Sequence, residues 1–493
     1  MKKLTIIFIT LLTLSSYLQA QNIDDALRYS KSTLSGSARY TAMGGAFGAL
    51  GGDISAINTN PASAGIFKYS EIAITPTFYY SHSQTNFLNR TNYDGKGNFN
   101  LNNFGVVGII KTNNNLLKSI NYAFSYQRLD NYHHRICAEG INNQNSITDY
   151  FAEQAYGTTL SSLDDGSGGS DLVYNAYNTY LINPVTDNSD NIDYVSSYSN
   201  YGENQIHRIE TLGSRRNYSF ALSSNYNNKL YMGISFNFNS STYIYQSDFQ
   251  EHDTQEKIDD FKSMRYYDEY ETRGSGFTFK VGFIYKVSKW LRLGSSFHTP
   301  TVYKLNDNYR HSMSSWVNVD GKTTNYTMST SNNYYDYKIY LPLRMMGALG
   351  FIINKKAIIS VEYEYLNYRL SKLRSYTKNN EFVLDNESIK NNLKSAHNIK
   401  LGAEYRWGKL SFRTGVSYFD SPYQSSQINK NAYTIYYNAG VGVNLNEFYI
   451  DFAYSRSLYN YYYIPYSLEN KEVYAYNIKQ NTDRYMLTMG LRF

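Results

Sequence analysis

The chain has 493 residues, of which 54 are Tyr, 25 are Phe and one, Cys137, is Cys. A formal charge of +6 without a basic stripe argues against nucleic-acid binding. A single cysteine excludes an internal disulfide framework, and no apolar run reaches the ~20 residues that a membrane-spanning helix needs. Tyr favours strands and membrane–water boundaries, so this composition is typical of a transmembrane β-barrel.

Residues 1–20 are typical of a secretory signal peptide. Lys2 and Lys3 supply the charged start, Leu4–Leu14 the apolar core, and Ala20 a small residue at the cleavage position. We therefore expect an exported protein whose mature chain begins at Gln21.

Residues 21–67 are not strand-like. A short helix is predicted over Asp24–Ser30, and Asp53 is a plausible N-cap for another over Ile54–Asn58, which Pro61 should end. The glycines of this segment do not have the spacing of a dinucleotide-binding or phosphate-binding loop. Its apolar residues need burial, which favours a plug in a barrel lumen, close to the periplasmic end.

Period-two alternation begins at residue 68 and continues to the C-terminus. In 230–238, 398–407 and 448–455, apolar residues alternate with small or polar ones, as expected when one face meets lipid and the other the lumen. The sequence thus predicts an all-β fold, a 14-stranded antiparallel transmembrane β-barrel over 68–493 with a small N-terminal hatch. The predicted strands are 68–82, 102–113, 118–129, 214–226, 229–249, 272–288, 289–308, 334–353, 356–371, 394–407, 409–420, 431–445, 447–461 and 480–493.

The connections alternate between tight turns and long polar loops, which places both chain ends in the periplasm. The longest external loop is 130–213. The last strand ends at Phe493, an aromatic terminus that resembles the signal recognised by the barrel-insertion machinery. A soluble β-sandwich or propeller is the alternative architecture, but no blade-length repeat is present.

The stretch SGSARYTAMGGAFGALGGDISAINTNPASAG (35–65) resembles the N-terminal hatch of the FadL-like outer-membrane transporters of long-chain fatty acids and other hydrophobic compounds, whose members are also labelled hemin receptors. The resemblance rests on the small-residue run before Asp53 and on the motif Asn60-Pro61-Ala62. It implies fourteen strands plugged by a hatch. The long loop 130–213 departs from the best-known members, so no external groove residues are carried over.

The predicted function is passive outer-membrane transport of a hydrophobic solute, such as a long-chain fatty acid or hemin, gated by the hatch. The gating residues are Asn60, Pro61 and Ala62. The hypothetical ligand-lining residues, which could equally serve as internal packing of the plug, are Tyr40, Met43, Phe47, Leu50, Ile54 and Ile57. The alternative is a surface barrel that carries no solute and binds or shuttles a secreted protein through loop 130–213. An energised 22-stranded receptor would need a longer chain.

No persuasive catalytic set is present, so we expect no enzyme, no cofactor and no metal site. His133, His134 and Cys137 could suggest metal or haem binding, but a polar loop start is the simpler interpretation. Glu362 and Glu364 are expected to form cross-strand ion pairs with Lys400 and Arg406. The expected partners are outer-membrane lipid, the solute and the insertion machinery, with no nucleic acid and a monomeric barrel. The lumen-facing charges are predicted to be Lys280, Arg292, Glu362, Glu364, Lys400, Glu404, Arg406, Arg413 and Asp451.

Overall fold

A computed structural model describes residues 19–198, 200–319, 321–376 and 381–493. Apart from its last two positions, the predicted signal peptide at 1–20 lies outside the described residues. In the described ranges, none of the helices combines the length and the apolar character needed to cross a membrane. The helices are α1 (Gln19–Ser30), α2 (Ala38–Ala42), α3 (Ile147–Ala155), α4 (Leu160–Asp164), α5 (Asp171–Asn178) and α6 (Val383–Asn392).

Strands make up most of the described chain. They are β1 (Glu71–Phe87), β2 (Arg90–Lys111), β3 (Leu117–Asn131), β4 (His134–Asn142), β5 (Ile182–Pro184), β6 (Tyr194–Ser196), β7 (Glu203–Tyr226), β8 (Leu230–His252), β9 (Phe261–Lys286), β10 (Leu291–His298), β11 (Val302–Val319), β12 (Lys322–Ser329), β13 (Asn333–Tyr340), β14 (Arg344–Ile353), β15 (Ala357–Asn367), β16 (Lys372–Ser375), β17 (Ser395–Trp407), β18 (Leu410–Phe419), β19 (Thr434–Leu445), β20 (Phe448–Tyr463) and β21 (Tyr476–Arg492).

Fourteen of these strands close into an antiparallel barrel, as predicted. The last strand pairs with the first, Glu71 opposite Arg492, so the wall has no free edge at this seam. The order around the wall is β1, β2, β3, β7, β8, β9, β10, β14, β15, β17, β18, β19, β20 and β21.

The alternation predicted for the wall is confirmed. On β8, Phe236 and Phe238 are 46% and 50% exposed, whereas Ser235 and Asn237 are 0% exposed. The same holds on β20, where Phe452 is exposed and Asp451 is buried. The outer face therefore carries an apolar band suited to lipid, and the inner face carries small and polar groups.

Several strands extend further on the external side than predicted. β2 begins at Arg90 instead of 102, β7 at Glu203 instead of 214, and β9 at Phe261 instead of 272. Above the membrane both faces of a strand meet polar surroundings, so the apolar–polar contrast that marks a strand in sequence disappears there.

Two predicted strands are each divided at a proline. Strand 289–308 breaks between β10 and β11 at Pro300, and strand 334–353 breaks between β13 and β14 at Pro342. Proline has no N–H to donate to a ladder and so interrupts a paired strand. The two breaks face each other. β10 therefore pairs with β14 on the short-turn side of the breaks, and β11 pairs with β13 on the external side.

The external segment between β4 and β7 forms a cap with its own core. Helices α3 to α5 bury Phe151 and Leu163 against Phe249, Met264 and Met313 of the extended strands. Under this cap, Glu251 accepts hydrogen bonds from the Ile147 N–H at 3.0 Å and the Gln205 amide at 2.8 Å.

A second buried carboxyl, Glu203, lies near Glu251 beneath the cap. Burial, followed by the negative charge of Glu251, raises the pKa of Glu203 to about 9. Burial also raises the pKa of Glu251. Burial and mutual repulsion therefore both oppose the simultaneous ionisation of these two carboxyl groups.

Candidate functional site

The N-terminal residues 19–67 lie inside the barrel and form two parts. We name residues 36–67 the lower segment, since they lie level with the short-turn ends of the strands, and residues 19–35 the upper segment, which reaches toward the external ends. The expected helix at Asp24–Ser30 is present within α1, and a 3-10 turn spans Ser55–Asn58 with Asp53 accepting from the Ser55 N–H at 2.9 Å. The lower segment thus lies close to the short-turn ends of the strands, whereas α1 lies higher.

The motif Asn60-Pro61-Ala62 joins the lower segment to the wall. The Asn60 side-chain oxygen caps a 3-10 turn by accepting from the Ala62 N–H at 3.0 Å. Its amide nitrogen lies 2.8 Å from the carbonyl oxygen of Gly48, 3.1 Å from that of Phe283 and 3.3 Å from that of Ser295. One side chain thereby connects two turns of the segment with β9 and β10.

Neighbouring backbone groups of the lower segment are also bonded by inward side chains. The carbonyl of Asn58 accepts from Lys280 at 2.8 Å, and that of Thr59 accepts from the Ser296 hydroxyl at 2.8 Å. The Pro61 carbonyl accepts from Ser223 at 2.6 Å. Buried carbonyls need such partners, so polar lumen residues replace the water that the segment loses.

Glycines in the wall let the backbone of the lower segment approach closely. A Cβ added at Gly402 would lie 2.3 Å from the Met43 carbonyl oxygen, and one added at Gly415 would lie 2.3 Å from the Gly44 nitrogen. A Cβ at Gly294 would lie 2.1 Å from the Gly48 carbonyl oxygen. No larger residue fits these contacts without displacing backbone.

The six proposed lining residues are all buried in the lower segment. Tyr40, Met43, Phe47 and Leu50 form one cluster that also contains Phe419 and Tyr436 of the wall. Ile54 and Ile57 belong to a second cluster with Val107. The structure therefore brings the six together as two groups, of which Tyr40 also lines a lumenal cavity.

The upper segment is held by long basic side chains from the wall and by the packing of Leu27 and Tyr29 of α1 in an apolar cluster with wall residues. Arg215 donates to the carbonyls of Tyr29 and Lys31, Arg344 to that of Ser30, and Arg484 to that of Leu34. α1 adds its own contact, with Arg28 lying 3.8 Å above the centre of the Tyr243 ring. Side chains of the wall thus hold the upper segment, whereas the lower segment contacts the wall backbone directly.

Ion pairs among the predicted lumen-facing charges brace the wall. Lys400 lies 2.8 Å from Glu362, its direct neighbour across β15 and β17, which confirms that predicted pair. Glu404 contacts Arg413 at 2.7 Å and Arg39 of the lower segment at 2.9 Å. The expected partner Arg406 pairs with Glu404 instead of with Glu362 or Glu364.

Two cavities surround the upper segment. The first has a volume of about 240 Å³ and is lined by Lys31–Thr33, Asn100, Arg128 and Arg484 among other polar groups. The second, of about 110 Å³, lies between the upper segment and Tyr40, Lys280 and His298. The lumen next to the upper segment is therefore open, polar and rich in basic groups.

The first cavity lies at an opening in the ladder between β2 and β3. Their last pair on the external side is Asn103 with Gln127. Beyond it β2 continues in pairing with β1, whereas β3 bulges at Leu129 and leads into β4, which pairs with β7.

The chain turns inward above this opening. The Ser83 hydroxyl on the lumen side of β1 donates to the Arg135 carbonyl at 2.8 Å, so β4 crosses behind β1. His134 contacts Ser81 at 2.8 Å in the same way. In the described residues, no group of three or more His, Cys, Asp or Glu is placed to hold a metal ion.

Sequence reasoning missed the opening, the arginine grip and the glycine contacts. The alternation of the sequence shows which glycines and basic residues point into the lumen. It does not show that they lie at the same height along the barrel axis and therefore contact the N-terminal segment. That height depends on strand register, which a single sequence does not fix.

The chain was compared with known proteins. The sequence model of a family described as outer membrane protein transport protein (OMPP1/FadL/TodX) matches residues 208–492. This match does not extend to the lower segment. A comparison with curated proteins gave no match.

Solved structures show the same fold. A FadL homologue from Pseudomonas aeruginosa superposes with a TM-score of 0.57 at 10% identity, over 94% of this chain and 100% of that one. The toluene transporter TodX of Pseudomonas putida gives a TM-score of 0.51 at 10% identity, again over 94% of this chain and 100% of that one.

Proposed function

The chain belongs to the outer-membrane transport protein family of FadL and TodX, and we propose that it passes hydrophobic solutes through the outer membrane passively, with residues 21–67 as the hatch. The observation that carries this proposal is the opening between β2 and β3 beside a lumenal cavity. The Thr33 hydroxyl of the upper segment donates to the Leu129 carbonyl at 2.6 Å, at the bulge beside this opening. Movement of the upper segment would therefore connect the external mouth with the opening.

The route leads sideways into the membrane as well as toward the periplasm. The lower segment fills the periplasmic end, with Asn60-Pro61-Ala62 as its attachment. An apolar solute leaving between β2 and β3 would meet the exposed ring of Phe99 on the lipid-facing side. This exit avoids returning an apolar molecule to water, which is the costly step for such a solute.

The solute is an apolar body that carries a carboxylate, as both long-chain fatty acids and hemin do. Lys31, Arg128 and Arg484 lie around the first cavity, and guanidinium groups bind carboxylates with paired hydrogen bonds. A pure hydrocarbon has no acceptor atom for these cationic groups. Toluene, the solute in the description of TodX, is such a hydrocarbon.

A disulfide lock tests gating. The Ala49 Cβ lies 3.5 Å from the Cβ position of Gly350 on β14, which suits a disulfide, and the neighbouring Gly48 is bonded to Asn60. We expect an Ala49→Cys/Gly350→Cys variant in a Cys137→Ser background to lose uptake of a labelled fatty acid when oxidised and to regain it with reductant. The two single-cysteine variants are the controls. Equal uptake in both redox states would exclude movement of the lower segment.

The six apolar residues of the lower segment become the solute contact surface if this segment moves. We expect Phe47→Ser with Leu50→Ser to reduce uptake in barrels that still show the heat-sensitive gel mobility of a folded wall. Normal uptake by such folded barrels would assign the six residues to packing alone.

The alternative function, binding of a secreted protein, is favoured by one observation. The cap exposes Tyr156, Tyr180 and Val185 although it has a packed core of its own. Mass spectrometry of the barrel purified in mild detergent distinguishes the two functions. A stoichiometric apolar carboxylate supports transport, and an empty barrel with a co-purified protein supports the alternative.

A further inference from the structure

A row of basic residues crosses the outer surface of the barrel, away from the lumen. Lys304 on β11 is directly opposite Lys338 on β13, which is directly opposite Arg374 on β16. Their sequence neighbours Leu305, Ile339 and Leu373 are buried together against α1. Since side chains alternate along a strand, the three cations face outward.

Like charges on directly opposed strand positions repel one another, so the row needs an explanation. The ion pairs found on the neighbouring strand β9 involve Arg265, Arg273 and Arg310 and not the three cations of the row. Arg273 lies one row higher and pairs with Glu271, and Asp336 accepts a hydrogen bond from Asn306 at 2.8 Å. The surface keeps an excess of positive charge despite these two acids.

The row lies at the upper limit of the apolar band. Lys304 is opposite Ser275, two residues beyond the exposed Phe277, which is itself paired with the exposed Phe238. From Tyr285 at the short-turn end of β9 to Phe277 is eight residues, or about 26 Å along the strand and about 20 Å across a membrane at a tilt of ~40°. With an apolar band ~25 Å tall, the cations reach the headgroup level of the outer leaflet.

The surface is also concave and bordered by tyrosines. A depression of about 820 Å³ is lined by Arg273, Lys304, Asp336 and Tyr376 among others and lies beside Lys338 in the row. Lys338 lies 4.3 Å from the centre of the Tyr376 ring, and Arg374 lies 5.0 Å from that of Tyr340. Tyrosine rings favour the membrane interface, where one edge is apolar and the other is wet.

We propose that the row and the adjoining depression bind the phosphate groups of an outer-leaflet glycolipid. The phosphate contacts are Lys304, which lines the depression, and Lys338 and Arg374, which follow it in the row. The acyl chains of this lipid would pack against the adjoining apolar band. Its headgroup phosphates would then lie at the height of the basic row. A phosphate relieves the repulsion among the three cations, and lysine and arginine are the usual phosphate-binding side chains. This site is separate from the lumen and does not depend on the proposed transport function.

The test is native mass spectrometry of the full-length barrel with purified lipid A, either phosphorylated or dephosphorylated. We expect the wild-type protein to retain the phosphorylated form preferentially. The variant Lys304→Gln/Lys338→Gln/Arg374→Gln should bind it about 100-fold more weakly, at roughly fivefold for each cation near an anionic membrane surface.

A matched variant controls for net charge. Lys355→Gln/Lys356→Gln/Lys409→Gln removes three exposed cations from the short turns at the opposite end and should bind phosphorylated lipid A like the wild type. Gel mobility before and after heating verifies that both variants are folded. Equal binding of the two lipid forms, or undiminished binding by the first variant, would overturn the proposal. Displacement of the lipid by an excess of inorganic phosphate would also overturn it, since the site would then take free phosphate.

Discussion

The two parts of the lumenal segment are held in different ways. The lower segment lies with its backbone against wall glycines, and the Asn60 amide joins it to β9 and β10. The upper segment is held by the ends of Arg215, Arg344 and Arg484 and by the packing of α1 in an apolar cluster with wall side chains, and it borders two polar cavities. A long side chain can release its partner and turn, whereas the backbone contacts separate only when the lower segment moves as a whole, so the lower part seals the lumen more firmly than the upper part does.

The largest expected effect comes from filling the space at the wall glycines. Gly402→Val with Gly415→Val places atoms within 2.3 Å of the backbone of Met43 and Gly44. Overpacking typically costs about 1–3 kcal/mol at each site, and we expect the lower segment to be displaced and the ion conductance in planar bilayers to rise. Gly347→Val is the matched control, because no described atom lies within 4 Å of its added Cβ. Unchanged conductance in the double variant would contradict the sealing role.

A smaller effect is expected at Asn60. Asn60→Asp keeps the oxygen that accepts from the Ala62 N–H but sets a carboxylate oxygen against the carbonyls of Gly48 and Phe283. Leaving buried groups unpaired costs about 1–3 kcal/mol, so the free energy of unfolding in urea should fall by that amount. Asn113→Asp on an exposed turn should leave it unchanged. Equal stability of both variants would show that the amide does not secure the segment.

Arg344→Gln should loosen the upper segment alone. The change removes the donor to the Ser30 carbonyl and to the Ser32 hydroxyl. Because a hydrogen bond from a charged group contributes about 1.5–3 kcal/mol, amide hydrogen exchange over residues 27–34 should accelerate at least about tenfold, while residues 53–63 stay protected. Arg310→Gln on the outer surface is the control. Equal acceleration in both parts would mean that the segment opens as one unit.

The smallest effect concerns the cap, which forms a third region above the two parts. Since the folded-state pKa of Glu203 is raised to about 9, the folded cap binds more protons than the unfolded chain between pH ~4.5 and ~9. Its stabilising contribution is complete below this range and is lost as pH rises through it. Hydrogen exchange over 146–155, corrected for the intrinsic rate, should therefore increase from pH 6 to 9.

Two substitutions decide whether Glu203 causes this pH dependence. Glu203→Gln should remove it, whereas Glu472→Gln, at an exposed position of the same external region, should not. A pH profile that persists in the Glu203→Gln variant would assign the effect to another group.

The barrel was predictable because its lipid-facing residues had to be apolar. Phe236, Phe452 and Leu487 stand out in sequence for that reason, and the strand count and the closed wall followed from them. The external strand extensions and the cap do not contact lipid, so their sequences lack this alternation of apolar and polar residues and did not reveal them. The helix at Asp24–Ser30 was recognised, but its height in the lumen was not, since that depends on arginines more than 180 positions away in sequence.

The closing seam between β1 and β21 has a consequence for biogenesis. The lower segment is joined to β1 by only Lys68–Ser70, and β1 is the strand with which the final strand pairs. Because three residues cannot let the segment move far from β1, the segment lies beside the sheet when the seam forms. Its backbone can then act as the template that sets how tightly the nascent sheet curls, so insertion and plugging become one event.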